Sequence, residues 1–387
     1  MPLPRMPLAL RILLHNPSRL AVSVAGILLA VILMFSQMGF RNGMFDSQVE
    51  LIRRLNGDLF LVSRLKYLTY VPDPFASRRL AQARACPGVR SVHPLYVEVD
   101  RSLWRNPHDG STRPVRVLAF DVDEPVFDMP EVNAHAEALR RPDTVMFDAA
   151  ARDYYGRPRT GTRTELARRE VTVVGTFRLG TDFLNDGNAI MSDRNFLKFF
   201  PARASSSPHL NQVMVAVIRL EPGADLATVQ ADLKESLPDD VTVLSKKEFA
   251  ELETRYWRDS TAIGYIFSMG MAVGFFIGLV ICYQVLYSNV SSYLPQFATL
   301  KAMGFTDRFL VGIVLQQGLY LALLAFVPGV AAAQVLFWIV GRLTGLLMFL
   351  TPSRVVYILG LSVLMCMISG TIAVRRILTA DPAEVFR

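Results

Sequence analysis

Four stretches of the chain run without a charged side chain for the length a bilayer requires, and between the first two lies a long segment where polar and apolar positions alternate. A membrane-spanning helix needs ~20 mainly apolar residues to cross a hydrocarbon core of ~30 Å. Leu20 to Phe40 is the first such stretch, and its length and lack of a small-x-small ending predict a retained anchor. No charge occurs from Ser260 to Leu300, and residues 260–286 are the second predicted span. The third is 309–340, where Pro328-Gly329 predicts a kink or an end to the buried part. Residues 355–374 are the fourth.

Residues 41–259 follow a different rhythm. Short runs with strand character, VRSVHPLYVEV, VRVLAFDV, VTVVGTFRL, NAIMSD, VMVAVIRL and VTVLS, alternate with turn residues. After Glu221-Pro222-Gly223, residues Leu226, Val229, Leu233 and Leu237 fall at helical spacing. A strand, helix, strand unit follows, so the segment is predicted as an α+β domain. Its middle, about Asp128 to Pro208, is rich in Arg, Asp, Gly and Pro and is expected to form an inserted second lobe. Helical patterns bound the domain: Met44 to Leu55 at its start, and Lys246 to Trp257 at its end, with Phe249, Leu252 and Tyr256 on one face. Each is expected to continue a membrane helix as a stalk. The fold class is thus a four-span α-helical membrane protein with an α+β domain outside the cytoplasm.

Charge sets the orientation. Residues 41–259 hold 31 Lys+Arg and 31 Asp+Glu, so the whole net charge of +7 lies in the remainder, beside the spans. Arg5, Arg11 and Arg19 precede the first span and Arg375 and Arg376 follow the fourth, which places both termini in the cytoplasm. Arg342 and Arg354 in the loop 341–354 oppose the rule locally. A domain of zero net charge gives no support for nucleic-acid binding. Of the three cysteines, Cys86, Cys282 and Cys366, two lie in spans, so no disulfide within the chain is expected outside the membrane.

Candidate chemistry is sparse. No phosphate-binding Gly-rich loop, nucleophile elbow or zinc-protease helix occurs, so the chain is expected to be non-catalytic and to bind no cofactor or metal. His93, His108, His135 and His209 sit at spacings that suit no metal site and are expected to be solvated or in turns. Gly270, Gly274 and Gly278 form a ladder of small residues that lets a second helix approach closely, either within the chain or from a second copy. Leu8 to Asn16 reads as a short interfacial helix within the cytoplasmic segment 1–19, although the same residues also suit an early start to the first span. In the polar connection 287–308, Leu294, Phe297, Leu300 and Met303 resume helical spacing before Gly304. A helix held there at the membrane surface suits contact with a cytoplasmic partner; a plain connector is the alternative.

These motifs carry a resemblance. The connection YSNVSSYLPQFATLKAMGFTDRFL, the long span after it and the tail RRILTADPAEVFR (within 375–387) resemble the MacB-like, or FtsX-type, ABC permease superfamily. QMGFRNGMFDSQ, LNGDLFLV, SVHPLYV, NDGNAIMSDRNFLKFF and YLPQFATLKAMGFTDRFL are similar to the DevC-type permeases of glycolipid exporters. The resemblance covers essentially the whole chain. It implies an inner-membrane, homodimeric permease of mechanotransmission type, exporting a glycolipid or other lipid. It would work with a separate ABC ATPase that binds ATP and Mg, a periplasmic adaptor and an outer-membrane channel of TolC type. Carried over by position, the ATPase-coupling surface would comprise Ser291, Leu294, Gln296, Phe297, Thr299, Leu300, Lys301, Met303 and Arg308, flanked by Arg375, Arg376 and Asp381. Where many relatives carry charge, this loop has Ser-Ser-Tyr-Leu-Pro-Gln, which favours apolar and hydrogen-bonded contact over salt bridges. Lipoprotein release, or an FtsX-like signalling role that activates a hydrolase, are the alternatives.

Overall fold

A computed structural model describes residues 8–204, 210–260 and 262–379. Its helices are α1 (Leu8–Leu14), α2 (Pro17–Arg54), α3 (Arg78–Arg84), α4 (Pro130–Asn133), α5 (Ala136–Arg140), α6 (Asp193–Phe199), α7 (Leu226–Ser236), α8 (Lys246–Asp259), α9 (Ala262–Ser292), α10 (Leu294–Ala302), α11 (Asp307–Thr344) and α12 (Pro352–Thr379). Its strands are β1 (Leu59–Ser63), β2 (Phe75–Ala76), β3 (Val89–Glu98), β4 (Leu103–Arg105), β5 (Thr112–Pro114), β6 (Arg116–Phe120), β7 (Thr144–Asp148), β8 (Arg163–Leu166), β9 (Arg169–Phe177), β10 (Asn188–Ser192), β11 (Gln212–Val213), β12 (Val215–Leu220) and β13 (Val241–Ser245). Two compact units result: Gly43–Ala262 with Gly341–Leu347 form a domain, and the remaining described residues form a membrane unit.

Among the described residues α2, α9, α11 and α12 are the four helices long and apolar enough to span a bilayer. Lipid offers helices no hydrophobic reason to associate, so close packing of small residues must hold them together. The glycine ladder does this within the chain. A methyl group at Gly270 would stand 2.5 Å from Gln37 Oε1, one at Gly274 3.5 Å from Met34, and one at Gly278 2.7 Å from the Ala30 side chain, all on α2. On α11, Gly329 faces Val31 of α2 at 2.7 Å in the same way. Ile27, Met34, Phe35, Leu321, Ala325, Ile358 and Met365 then fill the centre. The helix α11 runs through Pro328 as one helix of 38 residues, since a proline's neighbours in a membrane bundle can re-satisfy the freed carbonyl.

The domain is built on an 11-stranded sheet in the order β13-β1-β12-β3-β6-β10-β7-β9-β8-β4-β5. Its central strands are buried on both faces: Leu59 and Leu61 of β1 and Val117 and Ala119 of β6 join one core, while Phe60, Val62, Leu118 and Phe120 join the other. The first face is covered by α3, α6 and α7 through Ala83, Phe196 and Leu233. The second is covered by Leu51 and Ile52 of α2, Leu55 just after it, Leu139 of α5 and Phe249 of α8. The inserted segment after Asp128 adds to the same sheet, since β10 pairs in parallel with β6 and antiparallel with β7. Val145, Phe147 and Val173 of that segment share a core with Leu59 and Val92.

Two expectations about this domain need correction. The helix α8 does not continue into the second span: it starts with a reciprocal capping box between Ser245 and Glu248 and ends at Asp259, and α9 starts at Ala262. Its apolar face is spent on the sheet instead. Phe249 meets Phe60 at a tilt with ring centroids 5.6 Å apart, Leu252 packs on the same core, and Tyr256 meets Tyr67 at 5.3 Å. At the other end of the domain α2 is one helix from Pro17 to Arg54. His93, expected to be solvated, is buried on β3 with Nε2 3.6 Å from Glu124. Burial pushes its pKa below the ordinary imidazole value. His135 and His108 bind backbone carbonyls of Glu131 and Gly156, and His209 lies outside the described residues.

A buried polar network closes one end of the sheet. Arg116 donates to Asp182 at 2.7 Å and to Asn188 at 2.8 Å, and Asn188 donates to Asp148 at 2.7 Å. Asp148 also accepts the backbone N–H of Gly180. The network holds the loop on which Thr181 donates to the carbonyl of Thr344 at 3.2 Å. Arg152 binds the Leu343 carbonyl at 3.2 Å, and Leu347 N–H reaches Ser47 Oγ at 3.1 Å. Residues 341–347, expected as part of a simple loop, are therefore a built component of the domain. Gly345 turns there with φ +73°, and a methyl group on it would stand 2.7 Å from Thr181 Oγ1.

Two substitutions test this packing. Arg116→Met strands Asp182 as a buried anion and is expected to cost about 3–5 kcal/mol in denaturant unfolding of the purified protein. Gly278→Val overpacks the ladder and is expected to cost about 1–3 kcal/mol. It should lower Tm in detergent without changing the oligomeric state by light scattering; loss of a dimer at unchanged Tm would place the ladder between chains.

Candidate coupling surface

Between α9 and α11 the chain must turn, and proline sets the place. Pro295 has no N–H to give to the carbonyl four residues back, that of Ser291, and its ring clashes with that carbonyl. The helix accordingly ends at Ser292, and a new one, α10, starts at Leu294 after Tyr293. At its other end Gly304 adopts φ +92°. Its N–H binds the carbonyl of Lys301 at 3.0 Å while the N–H of Phe305 reaches that of Leu300 at 3.2 Å. This pair of bonds is a Schellman stop, which favours glycine because the left-handed backbone costs other residues more.

What fixes α10 to the membrane unit is Phe297. It is only 3% exposed and sits in a core with Ala9 of α1, Val290 of α9, Leu310, Ile313 and Val314 of α11 and Val374 of α12. Leu300 and Tyr293 pack against the same core, half-buried. Of the residues expected to touch a partner, Phe297 is thus an anchor beneath the surface. Ser291 belongs to the last turn of α9, its hydroxyl is buried and it finds no hydrogen-bond partner. Leu294 is half-buried at the start of α10.

The outward face is formed by the others. Gln296 and Thr299 are exposed, with Thr299 Oγ1 donating to the carbonyl of Pro295 at 2.9 Å. Met303 was expected on the apolar face with Phe297, yet it is 62% exposed. Helical spacing stops at Ala302, and the Schellman turn swings the next side chain outward. Lys301 pairs with Asp307 at 3.1 Å across that turn, and Arg308 is exposed beside it. Phe305 and Phe309, not singled out from sequence, stack with centroids 4.9 Å apart and are both well exposed. Their signal was available: large apolar residues flanking a glycine turn and an Asp-Arg helix start have no core to enter. Around the Gly304 turn, Met303, Phe305 and Phe309 are thus exposed apolar side chains, and Gln296, Thr299 and Arg308 are exposed polar ones close to them in sequence.

Arg375 and Arg376 lie on the last turns of α12, and Asp381 lies outside the described residues. At the N-terminal side, Arg19 of α2 donates to Ser292 Oγ at 2.8 Å, which ties the end of α9 to the first span. Among the described residues no cluster of His, Cys, Asp and Glu is placed to hold a metal.

Residues 20–236 match the MacB-like periplasmic core domain, and residues 268–382 match the FtsX-like permease C-terminal region, which includes α10 and the patch around it. The chain has no match among curated proteins. Among solved structures it is similar to the periplasmic region of MacB from Actinobacillus actinomycetemcomitans at 8% identity, covering 51% of this chain and 92% of that one with a TM-score of 0.36. The extracellular domain of the noncanonic ABC-type transporter YknZ from Gram-positive bacteria is similar at 13% identity, covering 49% and 99%, with a TM-score of 0.31. A domain of a putative permease from Porphyromonas gingivalis is similar at 13% identity, covering 48% and 86%, also at 0.31.

The anchor and the exposed patch predict opposite stability phenotypes. Phe297→Ala opens a cavity under α10 and is expected to cost about 3–5 kcal/mol. Met303→Ser removes an exposed side chain and is expected to change stability by less than about 0.5 kcal/mol. Unfolding of both purified variants in detergent, followed by circular dichroism, measures the contrast.

Proposed function

Because the chain belongs to the MacB-like/FtsX-type permease superfamily and is an ABC transporter permease subunit, we propose that α10 and the patch of Met303, Phe305 and Phe309 receive the motion of a separate ATPase on the cytoplasmic side. The observation that carries this reading is the contrast on one short helix: Phe297 locks it to four other helices, while Met303 and its neighbours remain exposed. A surface helix that is anchored below and apolar above can pass a push inward without unfolding. The exposed apolar side chains and the polar ones close to them in sequence suit a groove in a partner better than they suit water.

ATP hydrolysis then takes place on the partner, and this chain supplies the mechanical element. The helix α2, continuous for 38 residues, carries the chain from the membrane unit into the domain, which supports transmission along the backbone of a single helix. In this reading the protein lies in the inner membrane with both termini cytoplasmic and acts as a homodimer. Its domain meets a periplasmic adaptor and, through it, an outer-membrane channel. The DevC-type resemblance implies a glycolipid or other lipid as cargo.

Affinity purification of the tagged full chain from solubilised membranes, with mass spectrometry of the co-purifying proteins, tests the assembly. An ATPase and an adaptor are expected with the wild type. In Met303→Asp/Phe305→Asp the ATPase is expected to fall by about tenfold or more, as loss of a central apolar contact implies, while the adaptor is retained. Undiminished recovery of the ATPase would sink the patch as the coupling surface.

A further inference from the structure

Two loops of the domain invert the arrangement that water favours. After β1, Lys66 is buried with Nζ on the Val71 carbonyl at 3.0 Å, while Leu65 beside it is 79% exposed and Tyr67 is well exposed. After β9, Asp182 is buried against Arg116, and its Oδ1 accepts the N–H groups of Leu184 and Asn185 at 2.9 and 2.8 Å. Phe183 and Leu184, the large apolar residues of that turn, are both exposed. A buried charge next to an exposed large apolar side chain is the informative departure from ordinary burial, and here it occurs twice. Arg64, the exposed charge of the first loop, is paired with Asp239 at 2.9 Å.

Both loops rest on the last turns of α8. Tyr67 meets Tyr256 at 5.3 Å, the N–H of Thr69 donates to Glu253 at 2.7 Å, and Phe183 packs edge-on against Trp257 with centroids 5.2 Å apart. The helix ends at Asp259, and the span α9 starts at Ala262. The second loop is also tied to the end of a span, since Thr181 donates to the Thr344 carbonyl in the last turn of α11, where Leu343 is exposed as well. The chain itself therefore brings this end of the domain to the bilayer at two places.

We propose that these two loops insert Leu65 and Tyr67, and Phe183 and Leu184, into the lipid leaflet adjoining the domain, at the boundary between headgroups and acyl chains. Aromatic rings collect at that level of a membrane, and apolar faces seated there lie ~5–10 Å deep. The hydrogen bonds from Leu184 and Asn185 to Asp182 hold the second loop's backbone, so Phe183 and Leu184 meet the lipid as a fixed wedge. A leaflet surrounds the span ends whether or not another chain is bound, which favours lipid over a protein as the occupant. The contact needs no ATPase, so its failure would leave the permease assignment untouched.

Fluorescence quenching on the purified full chain in phosphatidylcholine/phosphatidylglycerol nanodiscs tests this. An environment-sensitive dye is placed by Leu65→Cys, Phe183→Cys or, as control, Glu221→Cys, and the lipid carries a spin label high on its acyl chain. The three native cysteines are buried, so the labelled wild type sets the background. Glu221 is exposed and follows β12, whose Ile218 lies beside Leu59, which pairs with Ser245 at the start of α8. That end is about 18 Å from Trp257 along the helix. The dye at 65 and at 183 is expected to be quenched about twofold or more over the dye at 221, as a seat ~5–10 Å deep implies. Should Phe183→Cys fail to fold, because its ring covers Trp257, Leu184→Cys decides in its place. Quenching at either loop no greater than at 221 overturns the proposal. Efficient disulfide cross-linking of Phe183→Cys between two copies also overturns it, since a second chain would then cover the loop.

Discussion

Within the membrane unit everything rests on how closely α9 and α11 can approach α2. A helix in hydrocarbon gains nothing by hiding apolar side chains from lipid that is equally apolar, so contact distance decides which helices stay together. Gly270, Gly274 and Gly278 bring the backbone of α9 against Gln37, Met34 and Ala30, and Gly329 brings α11 against Val31. With those contacts made, the larger side chains of Ile27, Phe35 and Leu321 can interlock around α2. The same economy leaves other faces of the helices open, among them the Ser353–Leu364 face of α12.

The domain solves a different problem, because its medium is water. A sheet with β1 and β6 buried on both sides needs helices on both sides, and the chain provides them from distant segments: α3, α6 and α7 on one face, α5, α8 and the end of α2 on the other. The end of α2 therefore serves as a structural layer of the domain as well as the exit from the first span. Buried charge is concentrated where regular pairing stops. Arg116, Asp182, Asn188 and Asp148 satisfy one another in place of water, and the loop they stabilise receives the carbonyls of Leu343 and Thr344 at the end of α11. Such a network is intolerant of partial loss, since any one partner removed leaves another polar group buried and unpaired.

Between α9 and α11, α10 shows how two backbone devices make a surface. Pro295 ends one helix and Gly304 ends the next, and the nine residues of α10 between those breaks are held down by Phe297. Because the stop at Gly304 comes one residue after Met303, that side chain leaves the helical face and joins Phe305 and Phe309 outside. The surface so produced is apolar.

How much of this was legible beforehand follows from which forces are local. Four long apolar runs determine four spans by themselves, because hydrocarbon tolerates no alternative to a helix there and length alone is decisive. Alternation marked β9 and β13, β-branched apolar runs bounded by turn residues marked β3, β6, β10 and β12, and helical spacing marked α7, because each signal lies in a short window. LFLVS in β1 and TVMFD in β7 are buried on both faces, carry no period of two and went unmarked. Tertiary structure alone decided the rest. Whether the glycine ladder packs within the chain, whether Phe297 points in while Met303 points out, and that the apolar face of α8 packs on the sheet all depend on contacts between residues far apart in sequence. A side chain's direction is set by the neighbour that arrives to cover it, and the linear pattern records only that a cover is needed.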